Sequence, residues 1–284
     1  RLERVYRGNS IVGSNPTLSA KITKMNLKKI GSSLKFYIRE ITEKPFQTLE
    51  DQIVDCELNQ LITPIVHQTW VERKFGKSHY KSLNDFRSLN PDLTFKIYTD
   101  ENINKYMEEN WSHHYIYEVF KNSLIGPLKT DIFRYCILYD MGGYYFDISR
   151  GCKIPLRKLH HENSKMIISY EDTTCFIPPQ NQILHDLKRP FNHFLQWGLA
   201  FEKKHKFLEL MINQIVINYP YYKNKIFSNP KLAILNFTGP GMYTYVMRNY
   251  LVEYGLEQVQ ELDIKFDNNG IFKLNGSQFR YHQL

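Results

Sequence analysis

The sequence predicts an α/β fold: a central, mostly parallel sheet flanked by helices. Two observations carry this. From Thr63 onward, short apolar runs alternate with segments of helical spacing, the pattern of βα units. In the middle stands Lys129-Thr-Asp131-Ile-Phe-Arg134-Tyr, which leads through Asp140-Met-Gly142-Gly143 to Tyr144-Tyr145-Phe146-Asp147-Ile148-Ser149. This reads as a helix, a Gly-Gly stop and an aromatic strand that runs out into a carboxylate. Asp131 and Arg134 are three apart and share a helix face, so they can act on one ligand or pair with each other. The glycines end the helix and permit a tight αL reversal. Asp147 lies where a buried strand meets a loop, a usual place for a ligand carboxylate in an open α/β sheet.

The elements follow in order. Leu27, Ile30, Leu34, Ile38 and Ile41 recur at helical spacing with Lys28, Lys29, Lys35 and Arg39 off the stripe, so residues 25–60 are read as an N-terminal helical segment. That helix either lies on an anionic membrane or packs on the domain. Residues 61–284 are read as one domain. Thr63–Trp70 is a first buried strand, Ser78–Leu89 a helix stopped by Asn90-Pro91, and Leu93–Thr99 a second strand. Asp100 is expected to cap a helix to Glu109, and His114–Asn122 another. Further on come strands Met166–Tyr170 and Phe191–Phe201, and a helix Phe207–Asn218 ended by Tyr219-Pro220. Asn236-Phe-Thr-Gly-Pro240 is a polar turn opening a helix to about Tyr250, with Pro at its first position. Ile264–Phe266 and Ile271–Leu274 flank Asp-Asn-Asn-Gly270 and read as a hairpin.

Composition narrows the function classes. At 284 residues and 42% hydrophobic, the chain supports one sizeable core. Residues 1–48 hold ten Lys/Arg against three Glu, so +7 of the formal +8 sits there. The remainder is close to neutral, which gives nucleic-acid binding by the main domain no electrostatic support. The first 24 residues read as a leader outside the fold. Gly13-Ser14-Asn15-Pro16 is what a tRNA-gene T-arm encodes, which points to read-through, a bacterial source and Met25 as the native start; a disordered tail is the alternative. Cys56, Cys136, Cys152 and Cys175 form no CxxC pair and fit a reducing compartment. No apolar run approaches the ~20 residues of a membrane span, so the expected location is cytoplasmic or peripheral on the cytoplasmic membrane face.

Four blocks together carry a family resemblance: Pro64-Ile-Val-His67-Gln68-Thr-Trp70; Asn90-Pro91-Asp92 with Tyr98-Thr99-Asp100; Lys129 to Asp147; and Thr238-Gly239-Pro240. Over roughly residues 60–250 the chain resembles the family 32 glycosyltransferases, whose sugar-binding region contains a DXD motif. These include fungal mannosyltransferases and bacterial capsule and lipopolysaccharide transferases. The resemblance implies a GT-A-type nucleotide-sugar-binding fold and transfer of a hexose from a UDP- or GDP-sugar, with retention, to a surface-glycan or lipid-linked acceptor. It implies donor contacts from His67, Gln68 and Trp70, from Gly142, Gly143 and Tyr145, and from Thr238, Gly239 and Pro240. Asp131, Arg134 and Asp147 become the catalytic set. His67 has an equal alternative as a satisfied core histidine.

The residue types suit that chemistry. Negative charge develops on the departing diphosphate, which Arg134 can meet with a planar donor fork and which a bound Mn²⁺ or Mg²⁺ can neutralise. Asp131 can hydrogen-bond sugar hydroxyls and stabilise positive charge on the sugar. The motif departs from Asp-x-Asp, reading Asp147-Ile148-Ser149. Ser149 is a neutral, weaker ligand than a carboxylate. Either Asp147 and the diphosphate hold the metal with Ser149 assisting, or the chain is metal-independent or a catalytically silent nucleotide- or sugar-binding module.

Overall fold

The computed structural model describes residues 46–55 and 58–272, which fall in one compact unit. The leader, the helix expected over 27–41, Cys56 and the far end of the expected C-terminal hairpin lie outside the described residues. Within the segment read as helical, residues 46–55 instead run extended. Strand β1 (Gln47–Thr48) pairs with β3 below, and the Gln52 backbone bonds that of Phe95 in both directions.

The chain continues with β2 (Ile65–Thr69), β3 (Lys74–Phe75), α1 (Lys77–Ser88), β4 (Thr94–Tyr98), α2 (Asp100–Trp111), α3 (Tyr115–Asn122) and α4 (Gly126–Met141). Then come β5 (Gly143–Phe146), β6 (Arg150–Cys152), β7 (Met166–Thr174), α5 (Gln182–His185), β8 (Asn192–Phe194) and β9 (Gly198–Phe201). Helices α6 (Lys206–Tyr222), α7 (Pro230–Phe237) and α8 (Pro240–Tyr254) precede β10 (Val259–Asp263), a one-turn helix over 264–268, and β11 (Gly270–Phe272).

The main sheet has the order β10-β7-β9-β5-β2-β4, with β8 alongside β7. Strands β4, β2, β5, β7 and β10 point one way; β9 and β8 point the other. This is the mostly parallel α/β sheet that the sequence led us to expect. Alternate residues face opposite sides of it. Tyr145, Ile168 and Phe201 meet α2, α3, α4, α6 and α8 in the larger core. Tyr144, Phe146 and Ala200 meet Phe86 of α1, Leu156 and Phe266 on the other side. Helix α4 is buried continuously from Asp131 to Leu138, as befits a helix enclosed on every side.

Several expectations shift. The cap of α2 is Thr99, one residue before Asp100, in a reciprocal box with Asn102. The strand expected over Phe191–Phe201 is broken into β8 and β9, and the break at Leu195-Gln196-Trp197 supplies groups to the site below. Asn236 and Phe237 close helix α7 rather than forming a turn, while Pro240 does open α8. Among the described residues the expected C-terminal hairpin does not form. Lys265, Phe266 and Asp267 take left-handed φ of 48°, 57° and 55°, and β11 pairs antiparallel with β6. The contacts of Phe266 explain the conformation: its ring packs against Phe146 and Trp197 and lies where a Cβ on Gly198 would collide with it at 2.8 Å.

Candidate active site

Strands β2 and β5 run parallel and end side by side. Because α4 enters β5 through Gly142, the N-terminal half of α4 rises beside the strand ends. The site forms there. Arg134 Nη2 lies 3.1 Å from Asp131 Oδ1 and 3.1 Å from Asp147 Oδ1, so one guanidinium bridges both carboxylates. Its Nη1 donates to the Gln196 carbonyl at 3.0 Å, and its plane covers the Tyr145 ring at 4.6 Å, a cation–π contact. Tyr145, fully buried, is bonded in turn through its hydroxyl to Thr69 Oγ1 at 3.0 Å. Tyr145 therefore supports Arg134 from below.

The late loop arrives at the same place. Thr238 Oγ1 donates to Asp131 Oδ2 at 2.9 Å, and the Thr238 carbonyl accepts from Tyr135 Oη at 2.8 Å and Gln196 Nε2 at 2.9 Å. Gly239 caps α8 so tightly that a Cβ there would stand 2.8 Å from Leu235 Cα. The Asp147 amide donates to the Trp197 carbonyl, and the Asp147 carbonyl accepts from the Arg150 amide. Asp147-Ile148-Ser149 is thus a turn, anchored by Ile148 in a cluster with Leu49, Phe75, Leu83 and Ile97. Trp70 packs on that same cluster and stacks on Phe75, which sets it beside the turn.

Electrostatics distinguish the three charged groups. Burial pushes Asp131 up to about 6, against the pull of Arg134 and the Thr238 hydrogen bond. Burial alone lowers Arg134, but Tyr145, Asp147 and Asp131 outweigh it and hold the guanidinium firmly charged. Asp147 is raised by desolvation although Arg134 and Arg150 oppose this; its side chain is still 37% exposed and faces solvent. Asp131, by contrast, is enclosed. Arg134 commits Nη1 and Nη2 to protein acceptors, while its Nε is buried without a hydrogen-bond partner among the described residues.

Other expected contacts lie elsewhere. His67 is a satisfied core histidine. Nε2 meets the Gly142 carbonyl at 3.0 Å and Nδ1 the Tyr98 hydroxyl at 3.0 Å. The carbonyl can only accept, so Nε2 carries the proton and Nδ1 accepts from Tyr98. Burial lowers this ring to about 4 and keeps it neutral. Gly142 and Gly143 occupy the opposite end of β5 from Asp147, which corrects their placement in the donor site. Gly142 has φ 66° and ψ −163°, a glycine-only region rather than αL. A Cβ on Gly143 (φ 95°) would stand 2.5 Å from the Ile65 carbonyl. These glycines let two strands and a helix end converge. Gln68 is buried within β2 with Nε2 unbonded among the described residues. Gln196, Tyr135, Thr69 and Trp197 were not foreseen, because ordinary core residues announce nothing in a single sequence.

A divalent cation has a partial donor set here. Among the described residues no three His, Cys, Asp or Glu converge on one point, but Asp147 offers an exposed carboxylate and Ser149 a half-buried hydroxyl on one turn. That suits a metal held by one carboxylate and substrate phosphates rather than by an all-protein cage.

Comparison with known proteins bears on the same segment. The profile of the family described as "Glycosyltransferase sugar-binding region containing DXD motif" matches residues 76–170, which include α4, β5 and the Asp147 turn. Over those residues the chain is similar to that family. It is 26% identical over 229 residues to inositol phosphoceramide mannosyltransferase 1 of Schizosaccharomyces pombe, covering 78% of this chain and 63% of that protein. It is 28% identical over 204 residues to the initiation-specific alpha-1,6-mannosyltransferase of Candida albicans, covering 66% and 52%. The chain thus spans less than two thirds of the length of either relative. A solved structure titled PaToxG Glycosyltransferase aligns at a TM-score of 0.47 and 16% identity, covering 81% of each chain.

Proposed function

We propose that this chain is a glycosyltransferase moving a hexose from a nucleotide sugar to a glycan or lipid-linked acceptor, with retention. The observation that carries the reading is one guanidinium bridging two carboxylates at the strand ends, inside the segment matched by the DXD-family profile. The names of the fungal relatives favour mannose, and so a GDP-linked donor, over the UDP-hexose alternative. A place on the cytoplasmic membrane face belongs to the same proposal.

Each residue has a derived task. Asp147 faces solvent beside Trp70, whose indole is suited to stack on the donor base, and meets the donor first. Asp131, enclosed and oriented by Thr238 and Arg134, presents fixed negative charge toward the sugar carbon where positive charge develops. Arg134 sets the carboxylate spacing and lends its charge to the diphosphate. Such preorganised electrostatic contacts are each worth about 2.7–4 kcal/mol in the transition state. Asp147, with Ser149, would hold Mn²⁺ or Mg²⁺, which when bound supplies leaving-group neutralisation.

The test is donor hydrolysis: purified full chain, GDP-mannose and a panel of UDP-hexoses, with Mn²⁺, Mg²⁺ or chelator, read as released nucleoside diphosphate. Release that disappears in Asp147→Ala supports the reading. No release from any donor with either metal overturns it, and undiminished release in chelator overturns the metal.

A further inference from the structure

The connections on the active-site edge carry a surface that the donor chemistry does not use. Helix α4 descends into β5, so its start lies on the same edge as Asp147. Helix α6 leaves the reversed strand β9, so its end reaches that edge too. The end of α6 is tied to its neighbours: Lys223 Nζ bonds Glu118 Oε1 of α3 at 3.1 Å, and the Tyr222 ring stacks on Phe237 of α7 at 4.4 Å. At the tips, Leu124 is 98% exposed and Ile226 102%, with Ile125, Tyr221 and Leu232 exposed beside them. A run of bare aliphatic tips on one edge is unusual for a surface that meets only water.

Their charge context is one-sided. Residues 119–130 and 210–252 contain no Asp or Glu, while Lys121, Lys129, Lys223, Lys225 and Lys231 lie within them. Lys121, Lys225 and Lys231 are exposed and make no ion pair among the described residues. Protruding aliphatics ringed by lysine match the interface of an anionic bilayer, where apolar tips enter the acyl boundary and ammonium groups meet headgroups. A second copy of the same crest would bring lysine against lysine, since its nearby acid, Glu118, is already paired with Lys223. A nucleic acid would satisfy the lysines and leave the aliphatic tips in water.

We propose that this crest, made by the α3–α4 and α6–α7 connections, docks on an anionic lipid bilayer and sets the site against an acceptor held there. Ile125 and Asp131 are six residues apart on α4, and at 1.5 Å per residue the crest stands about 9 Å above the carboxylates. Leu232 stands at the same remove from Thr238 on α7. Docking is independent of the chemistry; the consequence for the acceptor rests on the glycosyltransferase reading.

The experiment is sedimentation of the full chain with vesicles of phosphatidylcholine alone or mixed with phosphatidylserine. Wild type is expected to bind the anionic vesicles and to release them in high salt. Two double variants, Leu124→Asp with Ile226→Asp and Lys225→Glu with Lys231→Glu, should each bind about tenfold or more weakly. Melting temperature and hydrolysis of the soluble donor should be unchanged. Absence of wild-type binding overturns the proposal. So does wild-type-like binding by both variants, which would place affinity elsewhere, for instance on residues 25–45. Loss of a dimer in light scattering, with vesicle binding intact, would assign the crest to self-association and also overturns it. Donor hydrolysis missing in wild type would sink the enzymatic reading while leaving the vesicle result to stand.

Discussion

The two ends of the α4–β5 unit bury polar groups in opposite ways. At the end holding Gly142, the enclosed groups are neutral and matched: His67 sits between Tyr98 and the Gly142 carbonyl, and Thr63 Oγ1 donates to the Met141 carbonyl at 2.9 Å, while the one carboxylate nearby, Asp140, keeps an exposed lysine partner, Lys204. At the end holding Asp147, a guanidinium and two carboxylates crowd together under partial or full burial. Buried ion pairs are poor contributors to stability, because desolvation offsets their attraction. The first end is built to fold. The second is held charged at a cost to folding, and that is where ligand chemistry belongs.

The largest break in this comparison is Arg134→Leu, which strands Asp131 without its counter-charge. It should destabilise the fold by about 3–5 kcal/mol in denaturant unfolding and abolish donor turnover. Gly143→Ala acts on the other end, against the Ile65 carbonyl. It should destabilise by about 1–3 kcal/mol, with turnover per folded molecule unchanged. Asp131→Asn separates stability from activity. The raised carboxyl means the fold favours the protonated form, so its stabilising contribution is present below the ordinary aspartate range and is lost as pH rises through about 6. The always-neutral amide should therefore leave the protein more stable than wild type above that pH, and much less active. Wild-type turnover should itself decline as pH falls through about 6, where Asp131 protonates. The smallest effect is expected from Tyr98→Phe, about 1 kcal/mol for a lost hydrogen bond to His67, without change in the pH profile.

Much of the frame was legible before any coordinates. The α4 face, the Gly-Gly stop and Asp147 at a strand end follow from spacing and glycine conformation alone, and Pro240 marked its helix start. Thr238 at Asp131 was reached only through family resemblance. What stayed hidden is instructive. Trp70 to His67 reads as one apolar strand, and nothing in it separates a histidine facing a carbonyl from one facing a ligand. The break at Gln196 lies inside a run that looks continuous, because tertiary bonds to Arg134, Tyr135 and Thr238 create it. The left-handed turn at Lys265–Asp267 opposes local propensity and is compelled by Phe266 packing on Gly198 and Trp197. The pattern Asp-Asn-Asn-Gly, a good hairpin signal, was overruled by that packing.

The pairing of β11 with β6 has a consequence for the order in which the protein is made. Strand β6 begins immediately after Ser149, and its partner, residues 270–272, is synthesised more than a hundred positions later. During translation at about 5–20 residues per second, the helices and most of the sheet emerge while the segment following the Asp147 turn still has an open edge. The nascent chain therefore secures its donor-facing turn, through Ile148 and Trp197, well before the strand that follows that turn gains its partner.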